Sequence, residues 1–146
     1  MDTRRLAWTT GCAGRRSTDL SRLVEHRDLE VVNIRLSARS QVPQWNRRPL
    51  ERLLGDRYRH LPELGNLHYR GGGPVVIADL RVGVQALAAL ERTPLLLCVC
   101  ADVATCHRQV VAARLIHLGW EVAEFDWQDA DAQWPHLVQA KLPGQS

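Results

Sequence analysis

The chain has 146 residues and a mass of 16.5 kDa, the size of one domain. Its hydrophobic fraction of 45% is enough for a buried core and its charged fraction of 24% is ordinary, which excludes a disordered, collagen-like or disulfide-dense chain. No apolar run reaches the about 18 residues that span a bilayer, and the N-terminus lacks the apolar segment of a signal peptide. We therefore expect a single cytoplasmic domain over residues 1–146 that does not contact a membrane.

Apolar patterning predicts strands that alternate with helices. The predicted strands cover residues 6–10, 29–35, 58–61, 94–100 and 120–125. The first predicted helix begins at Ser17, and three more cover 49–54, 79–91 and about 106–118. A C-terminal helix or tail is predicted over 127–146. This order predicts an α/β fold: a single three-layer domain with a mostly parallel sheet flanked by helices on both faces.

Three local features refine this prediction. Ser17 is expected to cap the first helix, because its hydroxyl can accept a backbone N–H at a helix start. The helix over 106–118 is expected to bury Val111, Leu115 and Leu118, and Gly119 is expected to end it. The apolar run before it, which contains Leu-Leu-Leu-Cys, is typical of a central strand buried on both faces.

Polar and thiol side chains follow three of the predicted strands. Cys12 follows the first strand, Arg35 and Arg39 follow the second, and residues 100–108 follow the central strand. Because ligands of open parallel sheets bind beyond the carboxyl ends of the strands, we expect these residues at one edge of the sheet.

The segment from Cys98 to Arg108 carries the most chemistry. Its predicted strand–loop–helix order presents unpaired backbone N–H groups that favour an anion, and the cations His107 and Arg108 in the first turn oppose the helix dipole unless an anion is there. A cysteine at this place has a lowered pKa, so Cys106 is a candidate nucleophile. Cys98 is expected in the core. The Cys-x5-Arg phosphatase loop is excluded, because it would need a cysteine at Asp102.

The four cysteines leave two further readings open. Cys12, Cys100, Cys106 and His107 supply ligands that suit zinc, but their spacing is not a familiar zinc pattern, so no metal site is predicted and no cofactor is assigned. A regulatory disulfide between Cys12 and either Cys100 or Cys106 is the other reading.

The basic residues are almost all arginine, 18 of 19, and eight of them lie between residues 35 and 70 against three carboxylates. One reading is a nucleic-acid surface on which Trp45 stacks on a base. The other is a solvated surface with Trp45 and Tyr58 packed inward, which we favour for the arginines beyond Arg35 and Arg39.

Five short motifs occur in a fixed order. They are Thr9-Thr10-Gly11-Cys12, Val32-Asn33-Ile34-Arg35 with Ser40 and Pro43 downstream, Leu61-Pro62-Glu63-Leu64-Gly65, Tyr69-Arg70-Gly71-Gly72, and Leu96 through Cys106-His107-Arg108. This set, spanning residues 6–126, resembles the small prokaryotic family called domain of unknown function 488, although Cys12 and Asn33 depart from its pattern. The resemblance implies one α/β domain and one site that contains Arg35, Ser40, Cys106, His107 and Arg108, and it implies no reaction.

Together these observations predict a protein that binds a phosphate-bearing ligand, either a nucleotide or a nucleic-acid end. The predicted ligand contacts are Arg35, Arg39, Ser40 and Arg108, with Arg35 and Arg108 clamping the anion, and the predicted catalytic residues are Cys106 and His107. For an enzyme, transfer or hydrolysis at an anionic substrate is expected. The alternatives are a non-catalytic module that binds nucleic acid or a partner protein, and a cysteine-based redox or metal-responsive protein.

Overall fold

The structure, a computed structural model, describes residues 5–68, 73–99 and 107–128. The strands are β1 (Leu6–Gly11), β2 (Leu29–Asn33), β3 (Tyr58–His60), β4 (Thr93–Cys98) and β5 (Glu121–Glu124). The helices are α1 (Ser17–Arg27), α2 (Arg47–Leu54), α3 (Leu80–Ala88) and α4 (His107–His117), with 3₁₀ turns at Pro43–Trp45, Gly55–Arg57 and Pro62–Leu64. The C-terminal helix or tail predicted from 127 onward lies outside the described residues beyond position 128.

All five strands are parallel, in the order β3-β2-β4-β1-β5. The predicted α/β fold with a parallel sheet and helices is confirmed. β4 is the central strand, and its residues Leu95, Leu96 and Leu97 are completely buried, as its continuous apolar sequence predicts. None of the helices in the described ranges combines the length and apolar character that crossing a bilayer requires.

The strand order puts the helices on two faces. The connections through α1 and α2 run in one direction along the sheet, and those through α3 and α4 run in the opposite direction. Since crossovers between parallel strands are right-handed, α1 and α2 cover one face, called the α1 face below, and α3 and α4 cover the other, the α4 face.

The strand register shows which side chains belong to each face. Val32, Leu96, Thr9 and Glu124 form one row across the sheet, and Asn33, Leu97 and Thr10 form the next. Side chains in one row share a face and successive rows alternate. Glu124 contacts Arg108 of α4, so its row belongs to the α4 face, and the row of Asn33 belongs to the α1 face.

Two local predictions are wrong. Ser17 is the first residue of α1 and does not cap it, because Arg16 takes the cap position, and the Ser17 N–H and hydroxyl donate to Gln44 Oε1 at 2.8 and 3.1 Å. Leu118 is 55% exposed because α4 ends one residue earlier, at His117. Gly119 then leaves the helix with φ of +97°, as expected for a glycine at a helix end.

Several element bounds also differ from the predicted ones. β2 ends at Asn33, two residues early, and β4 ends at Cys98. α2 begins at Arg47, two residues before the proline that marked its predicted start. α3 ends at Ala88, and Asp79 caps it by accepting the Val82 N–H at 3.2 Å.

Candidate functional site

The carboxyl edge of the sheet contains a point where the chain changes face. After β2 the chain passes to the α1 face, and after the adjacent β4 it passes to the α4 face. Such a switch point opens a crevice where ligands of doubly wound sheets bind. Cys12 and Arg35 follow the carboxyl ends of β1 and β2, as predicted, whereas residues 100–106 lie outside the described residues.

Arg35 is a buried cation at this edge, with 5% of its surface exposed. Its Nε donates to Asn33 Oδ1 at 3.0 Å, and its Nη2 donates to the carbonyl of Trp45. Both acceptors are neutral. Its Nη1 is also buried and has no hydrogen-bond partner among the described residues. Burying a guanidinium whose acceptors are all neutral is costly, so this site favours a negative charge.

Neighbouring side chains fix the position of Arg35. Asn33 Oδ1 also accepts the Arg35 N–H at 3.1 Å, and Asn33 Nδ2 donates to the Tyr58 hydroxyl at 3.0 Å. His60 Nε2 lies 2.7 Å from the Arg35 carbonyl. Burial raises the pKa of Tyr58, and the hydrogen bond from Asn33 opposes this rise, so the phenol stays neutral at physiological pH. The guanidinium is therefore held by groups without negative charge.

His107, the first residue of α4, connects the ends of β2 and β4. Its Nε2 lies 2.9 Å from the Ile34 carbonyl oxygen and its Nδ1 lies 3.4 Å from Cys98 Sγ. Because a carbonyl can only accept, Nε2 carries the proton in the neutral ring, and Nδ1 accepts from the thiol. The structure thus pairs His107 with Cys98, which is buried as predicted. The role of Cys106 as a nucleophile falls on a residue outside the described ones and stays a prediction.

Arg108 lies in a different environment from Arg35. Its side chain is completely buried, and its Nη2 donates to Glu124 Oε2 at 3.0 Å. Glu124 belongs to the α4 face and lies on β5, whereas Asn33, the partner of Arg35, belongs to the α1 face and lies on β2. Three strand spacings, about 14 Å, separate those strands. The structure therefore does not bring the two arginines together as a clamp, and ligand contact by Arg108 stays a prediction.

The two remaining predicted ligand residues lie on the segment after β2. Ser40 is half-buried, and its Oγ accepts the Val42 N–H at 3.1 Å, which closes a local turn. Its N–H donates to Asn46 Oδ1. Arg39 is exposed. No hydrogen bond joins either side chain to Arg35 within the described ranges, so their contact with a ligand stays a prediction.

The arginine-rich stretch after position 35 is mostly a solvated surface. Trp45 is 2% exposed and packs into the core, so it cannot stack on a base. Two of the arginines form ion pairs with neighbouring elements: Arg57 with Asp28 at 2.8 Å and Arg59 with Glu30 at 3.0 Å. Arg70 lies outside the described residues.

No group of three or more metal-ligating side chains occurs within residues 5–68, 73–99 and 107–128. Two hypotheses involve Cys100 and Cys106, one as zinc ligands and the other as disulfide partners of Cys12. Both cysteines lie outside those ranges. The two hypotheses stay open.

Sequence reasoning missed two features of the site. The pairing of Cys98 with His107 could have been expected from the sequence, because Cys98 lies near the end of the predicted central strand and His107 lies at the start of the next helix. No sequence pattern indicates the ion pair of Arg108 with Glu124, because it depends on how α4 packs against β5, which follows it in the chain.

The chain matches no protein-family model, and no curated protein or solved structure matches it. The resemblance to domain of unknown function 488 rests on the ordered motifs alone and stays a proposal.

Proposed function

We propose that this protein binds a phosphate-bearing ligand at the carboxyl edge of its sheet, with Arg35 as the anchor for the anion. One observation carries this proposal. The Arg35 guanidinium is buried, its two acceptors are neutral, and Nη1 has no hydrogen-bond partner among the described residues. A phosphate oxygen would supply both the missing acceptor and the counter-charge.

The place of Arg35 in the fold adds support. It follows β2 at the point where neighbouring connections leave on opposite faces, the position at which doubly wound sheets bind ligands. Since Nη1 is buried, entry of the anion requires a local rearrangement of the wall around it. The bonds of Asn33 and Trp45 hold the remainder of the guanidinium during that change.

Thermal unfolding with a series of anions tests the proposal. Phosphate at 100 times its dissociation constant stabilises a folded protein by about 2.7 kcal/mol, which for a chain of this size raises Tm by about 5–10 °C. The Arg35→Gln variant should lose this shift. Arg81→Gln, the same change at an exposed position of α3, should keep it. The absence of a shift in the unmodified protein, or an equal shift in Arg35→Gln, would reject Arg35 as the anchor.

The Cys98–His107 pair favours thiol chemistry as a second candidate function. An imidazole that accepts from a thiol can take its proton and leave a nucleophilic thiolate. Because Cys98 is 4% exposed, its alkylation requires local opening of the structure. For this candidate, iodoacetamide should modify Cys98 more slowly in His107→Ala than in the unmodified protein at neutral pH, although the smaller side chain gives the reagent more access. Peptide mass spectrometry identifies Cys98 as the modified residue, and equal rates of its modification in the two proteins would reject activation by His107.

A further inference from the structure

A groove on the α1 face lies at the same edge of the sheet as Arg35. It has a volume of about 740 Å³ and runs between the β1–α1 turn and the residues after β5. This volume lies within the range of about 300–1,000 Å³ that small-molecule sites occupy. Among its lining residues are Gly14, Arg15, Arg16, Arg22, Leu23 and Trp127.

One wall of the groove is a cationic and aromatic platform formed by Arg15 and Trp127. The Arg15 guanidinium carbon lies 5.0 Å from the centre of the Trp127 ring. Trp127 is fixed by a hydrogen bond from its Nε1 to Thr10 Oγ1 at 2.6 Å and by an edge contact with Phe125. A guanidinium and an indole this close together attract an aromatic base, because both stacking and cation–π attraction favour it.

The charge of the groove also favours an anionic ligand. Among the described residues, three arginines line it against one carboxylate, Asp19, whose oxygens pair with Arg16 at 3.6 Å and with Arg22. The side chains of Arg16 and Arg22 are 79% and 80% exposed, so solvent reduces these pairings. No carboxylate of the described residues pairs with the Arg15 guanidinium, which contacts the Trp127 ring.

One short segment contacts both Arg15, which lines the groove, and Arg35. Gln44 Oε1 accepts from the N–H and hydroxyl of Ser17, and Gln44 Nε2 donates to the Arg15 carbonyl at 3.4 Å. The carbonyl of the next residue, Trp45, accepts from Arg35. A single short segment thus connects both places.

The distance between the two places suits a mononucleotide. Thr10, which holds Trp127, and Asn33, which holds Arg35, lie in one row on the α1 face with Leu97 between them. Two strand spacings, about 10 Å, therefore separate them. A nucleotide, with its base on one side of the ribose and its phosphate on the other, extends over a distance of this order.

We infer that the ligand is a nucleoside phosphate, with its base stacked in the groove on Arg15 and Trp127 and its phosphate on Arg35. This inference rests on the proposed function, because Arg35 must hold the phosphate. Stacking on the platform then adds affinity that depends on the base and not on the phosphate.

Calorimetric titrations with inorganic phosphate, ribose 5-phosphate and adenosine monophosphate test the inference. The nucleotide should bind at least about fivefold more tightly than ribose 5-phosphate, the lower limit for stacking of one base. Arg15→Gln should remove this advantage and lower phosphate affinity far less than Arg35→Gln does. Arg35→Gln should weaken all three ligands, and the matched Arg81→Gln should weaken none.

The outcomes separate the two proposals. If phosphate binds and the nucleotide gains nothing, or if Arg15→Gln weakens all three ligands equally, the base site is rejected and the anion site stands. If none of the three binds, the proposed function fails, and the inference fails with it. A short single-stranded oligonucleotide that binds more tightly than the mononucleotide and still requires both arginines would support the same recognition of base and phosphate, with a nucleic-acid end as the source.

Discussion

Replacing Arg108 with methionine tests whether this arginine is a structural residue. The change removes a completely buried cation and leaves Glu124 on β5 without its 3.0 Å partner. Breaking one side of a buried ion pair costs about 3–5 kcal/mol. Since Glu124 keeps 23% exposure and a contact from Thr9 Oγ1 at 3.4 Å, we expect the lower end, about 3 kcal/mol. For a chain of this size that loss lowers Tm by about 6–12 °C.

Urea unfolding monitored by circular dichroism measures this loss directly. Arg114→Met, the same change on the exposed side of α4, is the matched control and should alter stability by less than about 0.5 kcal/mol. The double variant Arg108→Met, Glu124→Leu should recover part of the loss, because it removes the carboxylate left without its cation. If Arg108→Met is as stable as the control while phosphate binding is lost, Arg108 acts on the ligand and the structural role is rejected.

Three further predictions concern other parts of the chain. Asn33→Asp places a carboxylate beside Arg35, so it should raise Tm and weaken phosphate binding in the same thermal assay; unchanged binding would count against electrostatic competition. The hydrogen bond from Arg57 holds the pKa of Asp28 below its ordinary value of 3.8. The stability that this pairing contributes is therefore complete above pH 3.8 and is lost as the pH falls through the lowered pKa. Asp28→Asn should therefore show a shallower loss of Tm on acidification, and an identical acid profile would refute the pairing. A Cβ at Gly65 would lie 2.6 Å from Leu36 Cα, so Gly65→Ala should cost about 1–3 kcal/mol in urea unfolding, and wild-type stability would contradict this packing.

The fold was largely predictable because its signals are local. The apolar run of β4 and the alternation of strands with helices are present in the sequence, and they specify a parallel sheet. The errors occur where a distant residue decides. Ser17 does not cap α1 because Gln44, from a later loop, accepts its N–H and hydroxyl. Strand order and register, which separate the two faces, also depend on contacts that sequence patterning does not contain.

The candidate site was predictable only in part for the same reason. Arg35 follows a recognisable strand, so its place at the carboxyl edge could be expected. The burial of Arg35 and its neutral acceptors could not be expected, because one of the acceptors, the Trp45 carbonyl, belongs to a 3₁₀ turn ten residues later. The prediction that Arg35 and Arg108 clamp one anion assumed that two residues at the same edge of the sheet lie close together. Alternation of the rows places their partners on opposite faces.

The central claim is that a buried arginine with neutral partners holds a phosphate. Calorimetric titration of inorganic phosphate into the unmodified protein and into Arg35→Gln tests it most directly. We expect one phosphate per chain in the unmodified protein and an affinity lower by a factor of about 10–150 in Arg35→Gln, the loss of one charged hydrogen-bonding group. Equal affinities in the two proteins, or no heat of binding in the unmodified protein, would contradict the claim.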